Sequence, residues 1–221
     1  MSGPRYAELH VTSHFSFLRG ASSCEELFTT AAAMKIKALS IVDRNSLAGI
    51  VRAHEAAKIT GVRSVVGCRL DLNDGMSVLV YPTDRPAYSR LCQLLSLGRK
   101  RAGKAKCDLA WGDLVAYGEG LIAVLVPNDA DEECALRLRR LREAFRDRAY
   151  VTLSLRRRPN DQLRLFALSN LATLMRVPTI VTNDVLFHEP GRRILQDVVT
   201  CIRHNVTIDE LGERRERNAD H

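Results

Sequence analysis

The sequence is poor in aromatic side chains and long apolar runs, and each shortage excludes a class of protein. Phe, Trp and Tyr make up 5% of the 221 residues, so we expect a core of Leu, Val, Ile and Ala. The longest clearly apolar run, 121–126, is far shorter than the roughly 20 residues of a membrane helix. The first six residues lack the apolar centre of a secretion signal. We therefore expect a cytoplasmic protein that does not act in a membrane.

Paired cysteines and phosphate-binding glycine loops are also absent. The six cysteines are scattered and none forms a C-x-x-C pair, which argues against a zinc ribbon and a disulfide framework. No G-x-G-x-x-G and no G-x-x-x-x-G-K-[ST] occurs, so nucleotide binding by those loops is not supported. We interpret the cysteines as reduced thiols.

Basic residues are in excess, and the excess is local. The net charge is +7, with clusters at 99–106, 137–148 and 156–158. One interpretation is a solvated basic surface; the other is contact with DNA or RNA, because cations release counterions from a polyanion. The cluster predicted to contact nucleic acid is a basic loop that contains Arg99, Lys100, Arg101, Lys104 and Lys106.

Strand-like and helix-like segments alternate along the chain. Strands are predicted at 6–11, 38–42, 63–66, 120–126, 150–155 and 179–182, with a hairpin of 69–72 and 77–81. Helices are predicted at 24–34, 47–59, 85–97, 131–145, 161–175 and about 189–203. Ser23 with Glu26, and Thr207 with Glu210, form candidate capping boxes. Alternation at this pitch predicts a mainly parallel α/β sheet, either open and doubly wound or closed; about seven strands without a phosphate loop favour a barrel.

Three candidate metal ligands fall at the ends of predicted strands. His10 ends the first strand, Asp43 ends the second and Asp184 follows the last. One imidazole and two carboxylates at one barrel mouth could hold a divalent cation. The alternative is structural: His10 as a hydrogen-bonded core residue, and the two aspartates as caps of the following helices.

Five motifs carry a specific resemblance. Residues 8–22 (ELHVTSHFSFLRGAS), 38–49 (ALSIVDRNSLAG), 66–69 (VGCR), 181–187 (VTNDVLF) and 196–203 (QDVVTCIR) with 207–209 occur in order over nearly all the chain. They resemble the N-terminal PHP (polymerase and histidinol phosphatase) domain of bacterial error-prone DNA polymerases of the replicative alpha-subunit type. The resemblance implies a distorted (β/α)7 barrel over 1–205, with 206–221 beginning the connection to a polymerase body.

Several family ligands are replaced. The family's active site holds up to three metals through His, Asp and Glu side chains. His10, Asp43 and Asp184 match those ligands. The family's other ligand positions hold side chains that do not: Thr12, Arg44, Arg69, Thr152 and Leu186.

This pattern predicts a degraded metal site. Metal-assisted hydrolysis needs enough anionic and imidazole ligands to hold the ion, and two permanent cations oppose a dication. We therefore expect Arg44 or Arg69 to replace the metals by pairing with Asp43 and Asp184, since buried carboxylates require a positive partner. No bound cofactor is expected, although residual Zn²⁺ or Mn²⁺ stays possible, with His14 and His188 as substitute ligands.

The resemblance implies a module of a larger enzyme. The parent would be a translesion, DNA-repair-associated DNA-directed DNA polymerase, using Mg²⁺ on carboxylates outside this chain. Its partners would be DNA, and a sliding clamp and mutagenesis accessory proteins bound through other parts. Here the module would be a catalytically silent scaffold. Two alternatives stay open: an active metal-dependent phosphoesterase or 3′–5′ exonuclease, and a free-standing basic nucleic-acid-binding domain.

Overall fold

A computed structural model describes residues 6–104, 106–155 and 159–212, and these divide into two compact units. The first unit contains the described residues within Met1–Val66, Leu155–Pro159 and Thr182–His221; the second contains those within Gly67–Ser154 and Asn160–Val181. The basic cluster 156–158 and the segment 213–221 lie outside the described residues. The elements in chain order are β1 (Ala7–Val11), α1 (Cys24–Ala33), β2 (Ala38–Ile41), α2 (Ile50–Thr60), β3 (Arg63–Val66), β4 (Cys68–Asp71), β5 (Ser77–Pro82), α3 (Arg85–Ala102), α4 (Trp111–Ala116), β6 (Leu121–Leu125), α5 (Glu132–Phe145), β7 (Ala149–Leu153), α6 (Asp161–Met175), β8 (Thr179–Val181) and α7 (Arg193–His204).

The first unit contains a parallel sheet in the order β1-β2-β3. Helices α1 and α2 are the crossovers that parallel strands require. Their apolar faces and the strands bury one core, in which Phe28 is inaccessible to solvent and Leu39 and Ile41 are nearly so. The Ser23–Glu26 capping box is confirmed: the Ser23 hydroxyl accepts from the Glu26 N–H at 3.2 Å and the Glu26 carboxylate accepts from the Ser23 N–H at 2.9 Å.

The second unit contains a five-stranded sheet in the order β4-β5-β6-β7-β8. Strands β4, β5 and β6 are antiparallel neighbours, while β6, β7 and β8 are parallel. The predicted hairpin forms, and its turn uses Gly75 at φ +79°, a conformation that glycine adopts without steric cost. Leucine and valine side chains dominate the buried positions, as the shortage of aromatics predicts.

The mixed α/β class is confirmed, whereas the closed barrel is not found among the described residues. Every predicted strand and helix overlaps an observed one, with ends differing by a few residues. The short helix α4 was not predicted. The strands of the described part of the chain form two separate sheets, so the distorted (β/α)7 barrel stays a prediction. No helix among the described residues is long and apolar enough to cross a membrane, and all six cysteines are free thiols.

Candidate functional site

The candidate site of the first unit is built where β1 and β2 end side by side. Because the two strands are parallel, their carboxyl ends meet at one edge, and the Val42 N–H donates to the Val11 carbonyl at 2.8 Å. This places the loop that follows β1 beside Asp43, which comes two residues after β2. Sequence reasoning from strand ends therefore located Asp43 correctly at that edge.

The carboxylate of Asp43 joins the two loops through hydrogen bonds. It accepts from the Ser13 N–H at 2.9 Å, from the Ser13 hydroxyl at 2.8 Å and from the Ser16 hydroxyl at 2.7 Å. Asp43 is only 1% exposed. Burial raises the pKa of its carboxyl above the ordinary value, and the hydrogen bonds from Ser16 and Ser13 oppose that rise.

Gly49 leaves the space that this carboxylate occupies. A Cβ atom at Gly49 would lie 2.8 Å from Oδ2 of Asp43 and 3.1 Å from the Phe15 ring, closer than carbon atoms pack. Gly49 is also the N-cap residue of α2, with no side-chain cap bond. Asp43 is therefore not the N-cap residue of α2, and its hydrogen bonds link the loop after β1 to the loop after β2.

His10 lies on β1 beside Asp184. The imidazole is fully buried, and its Nε2 atom is 3.0 Å from Oδ1 of Asp184. That is an ion-pairing distance, although the angles are not those of a hydrogen bond. The segment around Asp184 runs along β1: the Val185 N–H donates to the His10 carbonyl and the Thr12 N–H donates to the Val185 carbonyl, both at 2.8 Å. The structure thus brings His10 and Asp184 together.

A buried glutamate two residues before His10 holds a second hydrogen-bond network. Glu8 is 2% exposed and accepts from the Tyr6 hydroxyl at 2.7 Å, from the His10 N–H at 2.8 Å, and from the backbone and side chain of Asn183 at 3.0 and 2.9 Å. Burial, followed by the Glu8 charge, raises the pKa of Tyr6. Glu8 was not among the predicted site residues, although its i, i+2 spacing to His10 places both side chains on one face of β1.

The two arginines expected to replace metals have different surroundings. Arg44 follows Asp43, and its backbone N–H donates to the Ser16 hydroxyl at 2.9 Å. Arg69 lies on β4 in the second unit, where Nε donates to Asp71 at 2.9 Å and a terminal nitrogen donates to Ser77 at 3.1 Å. Pairing of either guanidinium with Asp43 or Asp184 stays a prediction.

The remaining candidate positions do not complete a ligand set in the part of the chain that the structure describes. His14 is exposed and stacks on Phe15, with ring centroids 4.6 Å apart. His188 Nδ1 is 2.8 Å from the Ser22 hydroxyl. At the replaced family positions, Thr12, Thr152 and Leu186 are buried. Among the described residues no group of three or more His, Cys, Asp or Glu side chains is placed to hold a metal ion. The described donors thus do not fit the metal cluster that the family implies.

The basic cluster near residue 100 is partly helical, which corrects the prediction of a loop. Arg99, Lys100 and Arg101 belong to the last turn of α3, where cations interact favourably with the negative end of the helix dipole, and Gly103 is the C-cap residue. Arg101 pairs with Asp113. Lys104 and Lys106 follow the helix, and both are exposed. Contact of this cluster with nucleic acid stays a prediction.

Comparisons with known proteins agree with the motifs. The chain is 71% identical over 220 residues to "Error-prone DNA polymerase 1" of Agrobacterium fabrum, and 67% identical over 216 residues to "Error-prone DNA polymerase" of Allorhizobium ampelinum. These alignments cover 100% and 98% of this chain but 20% of each relative. The chain therefore spans about a fifth of the length of the curated relatives it matches.

Solved structures with little sequence identity share the fold. An inferred metal-dependent phosphoesterase from Bifidobacterium adolescentis matches with a TM-score of 0.62 at 13% identity, over 84% of this chain and 89% of that one. An amidohydrolase from Chromobacterium violaceum matches with a TM-score of 0.59 at 15% identity, over 82% and 87%. The model of the PHP domain family matches residues 8–156, a segment that contains most of β1, the following loop with Ser13 and Ser16, and Asp43. On this match the chain belongs to the PHP domain family.

Proposed function

We propose that this chain is the PHP module of an error-prone DNA polymerase, a nucleotidyltransferase that copies DNA in replication and repair of damaged templates. The observation that carries the proposal is 71% identity over the full chain to a relative of that name. The catalytic carboxylates and their Mg²⁺ would lie in the remainder of the parent, by which we mean the longer polypeptide that contains this module.

Within the parent, we propose that the module is a catalytically silent scaffold. Water activation for phosphoester hydrolysis requires a metal held by several anionic or imidazole ligands. Here Asp43 is engaged by Ser13 and Ser16, and His10 lies against Asp184. These contacts support a site whose charges are satisfied within the protein.

The finer features of the proposal follow from family membership. We propose that the PHP fold extends over 1–205 as a distorted (β/α)7 barrel and that 206–221 begin the connection to the polymerase body. DNA would be the substrate of the parent in the bacterial cytoplasm, and a sliding clamp and mutagenesis accessory proteins would bind parts outside this chain. An experimental structure of the parent tests these statements together.

Metal analysis and hydrolysis assays test the silent site. We expect substoichiometric metal in the purified parent, and no hydrolysis of a generic phosphoester or of single-stranded DNA under added Mn²⁺ or Zn²⁺. Primer extension by the same preparation reports separately on the polymerase. Two or three tightly bound ions, with hydrolysis lost in His10→Ala and kept in His54→Ala, an exposed histidine of α2 that serves as the control, would establish instead an active phosphoesterase or exonuclease.

A further inference from the structure

Helix α7 has its amphipathic faces reversed. Its polar residues Gln196 and Thr200 are 1% and 0% exposed, whereas Ile194 and Ile202 are 72% and 60% exposed. A surface helix of a globular protein normally turns its apolar stripe toward the core. Thr200 satisfies its buried hydroxyl locally by donating to the Gln196 carbonyl at 2.8 Å. The apolar face of α7 is therefore available for a surface that the described residues do not supply.

The apolar residues of α7 continue into a groove. Val198 and Ile202 line a cleft of about 530 Å³ together with Val206 and Ile208 from the segment that follows the helix. Ile208 is 48% exposed and Val198 is 40% exposed. Ile194, Val198 and Ile202 recur every four residues, so they form one stripe along the helix. We call this stripe and groove the α7 face.

We propose that the α7 face docks an apolar surface of the remainder of the parent polypeptide. The proposal rests on the proposed function, because it requires that this chain is one module of a longer chain. The relatives that match it at 67–71% identity have about four-fifths of their length outside the match. A surface on the same polypeptide has a high effective concentration, so it meets the α7 face ahead of a second copy.

Site-specific photo-cross-linking in the full-length parent tests the docking. Ile202→p-benzoylphenylalanine places a cross-linker on the α7 face, and Ile59→p-benzoylphenylalanine is the matched control. Ile59 is an isoleucine on a helix of the same unit and is 84% exposed. We expect the probe at 202 to join peptides outside this chain within the same molecule, and the probe at 59 to join none.

A second measurement uses smaller substitutions. Ile202→Cys in the parent should react with a maleimide about tenfold more slowly than Ile59→Cys, because labelling would need local opening of the docked surface. Equal rates in denaturant are the control. Cross-links between two copies, or equal labelling rates in the native parent, would overturn the proposal. Primer extension by the unmodified parent tests the proposed function separately from the docking. A parent that lacks polymerase activity can still be cross-linked, so the two proposals can fail independently.

Discussion

Removing the Asp43 carboxylate should destabilise the two loops that it joins. In Asp43→Ala, the Ser13 N–H and the hydroxyls of Ser13 and Ser16 lose their acceptor. Each unsatisfied buried donor costs about 1–3 kcal/mol, but hydroxyls can turn to other acceptors. We therefore expect a loss of roughly 2–4 kcal/mol in the free energy of unfolding. Asp43→Asn keeps one oxygen for the backbone donor and should lose about 1 kcal/mol.

Titration adds a second, signed expectation. The pKa of Asp43 is raised in the folded protein, mainly by burial. A raised carboxyl pKa means that the folded state holds the proton more tightly than the unfolded state does. The contribution of Asp43 is therefore most favourable below the ordinary carboxyl pKa, and it declines as the pH rises through the raised value. Asp43→Asn removes this decline. The difference in the free energy of unfolding between the unmutated protein and this variant should therefore shrink as the pH rises across that window.

Urea unfolding followed by far-ultraviolet circular dichroism measures these differences. The single tryptophan, Trp111, lies on α4 in the second unit, so its fluorescence reports separately on that unit. Asp209→Ala removes an exposed carboxylate of the first unit and is the control. A loss of under about 1 kcal/mol in Asp43→Ala, equal to that of the control, would refute the role of this carboxylate. If Zn²⁺ or Mn²⁺ raised the free energy of unfolding of the unmutated protein but not that of Asp43→Ala, Asp43 would instead be identified as a metal ligand.

Three further changes have defined outcomes. Gly49→Ala should lower the free energy of unfolding by about 1–3 kcal/mol, because the added Cβ clashes with the Asp43 carboxylate. Gly112→Ala is the control: Gly112 lies in a helix with nothing within 4 Å of an added Cβ, so this variant should be neutral or stabilising. Urea titrations of both variants measure the difference. Ser23→Ala removes the cap of α1 and should cost about 1 kcal/mol, measured as a lower midpoint at an unchanged urea slope. If the basic cluster binds DNA, Lys100→Ala with Lys104→Ala should reduce the slope of log affinity against log salt by about 1 for each phosphate that is no longer neutralised; an unchanged slope in fluorescence anisotropy would remove both lysines from the interface.

Most helices and strands could be predicted because their apolar residues recur at a regular spacing over enough positions to identify the element. Helix α6 was predicted with its observed bounds, and the hairpin followed from its Asn-Asp-Gly turn. Helix α4 has six residues, fewer than two turns, so it offers no recurring apolar spacing. Helix α3 runs on to Ala102 because a basic last turn favours the helix end; the same charges had indicated a loop.

The site was only half predictable for a different reason. Strand ends placed His10 and Asp43, because parallel topology decides where the carboxyl ends of β1 and β2 meet. Asp184 follows a strand of the other sheet, and backbone hydrogen bonds of Val185 with His10 and Thr12 bring it to β1. The partners of Asp43 depend on how the loop after β1 folds back, and a loop conformation has no sequence period. Ser13 and Ser16 are ordinary turn residues by type, and only their hydrogen bonds to Asp43 show their role.

The surroundings of Asp43 also change the physical argument for a silent site. Sequence reasoning required a cation to replace the lost metals, since a buried carboxylate needs compensation. Two hydroxyls and a backbone N–H provide compensation of another kind, whatever Arg44 contributes. Each neutral donor satisfies a carboxylate oxygen at a smaller desolvation cost than a buried second charge would bring. The hydrogen bonds from Ser16 and Ser13 offset only part of the rise in pKa that burial causes, so the pKa of Asp43 stays above its ordinary value. A buried carboxylate can therefore join two loops when hydroxyl side chains and a backbone N–H lie within reach of its oxygens.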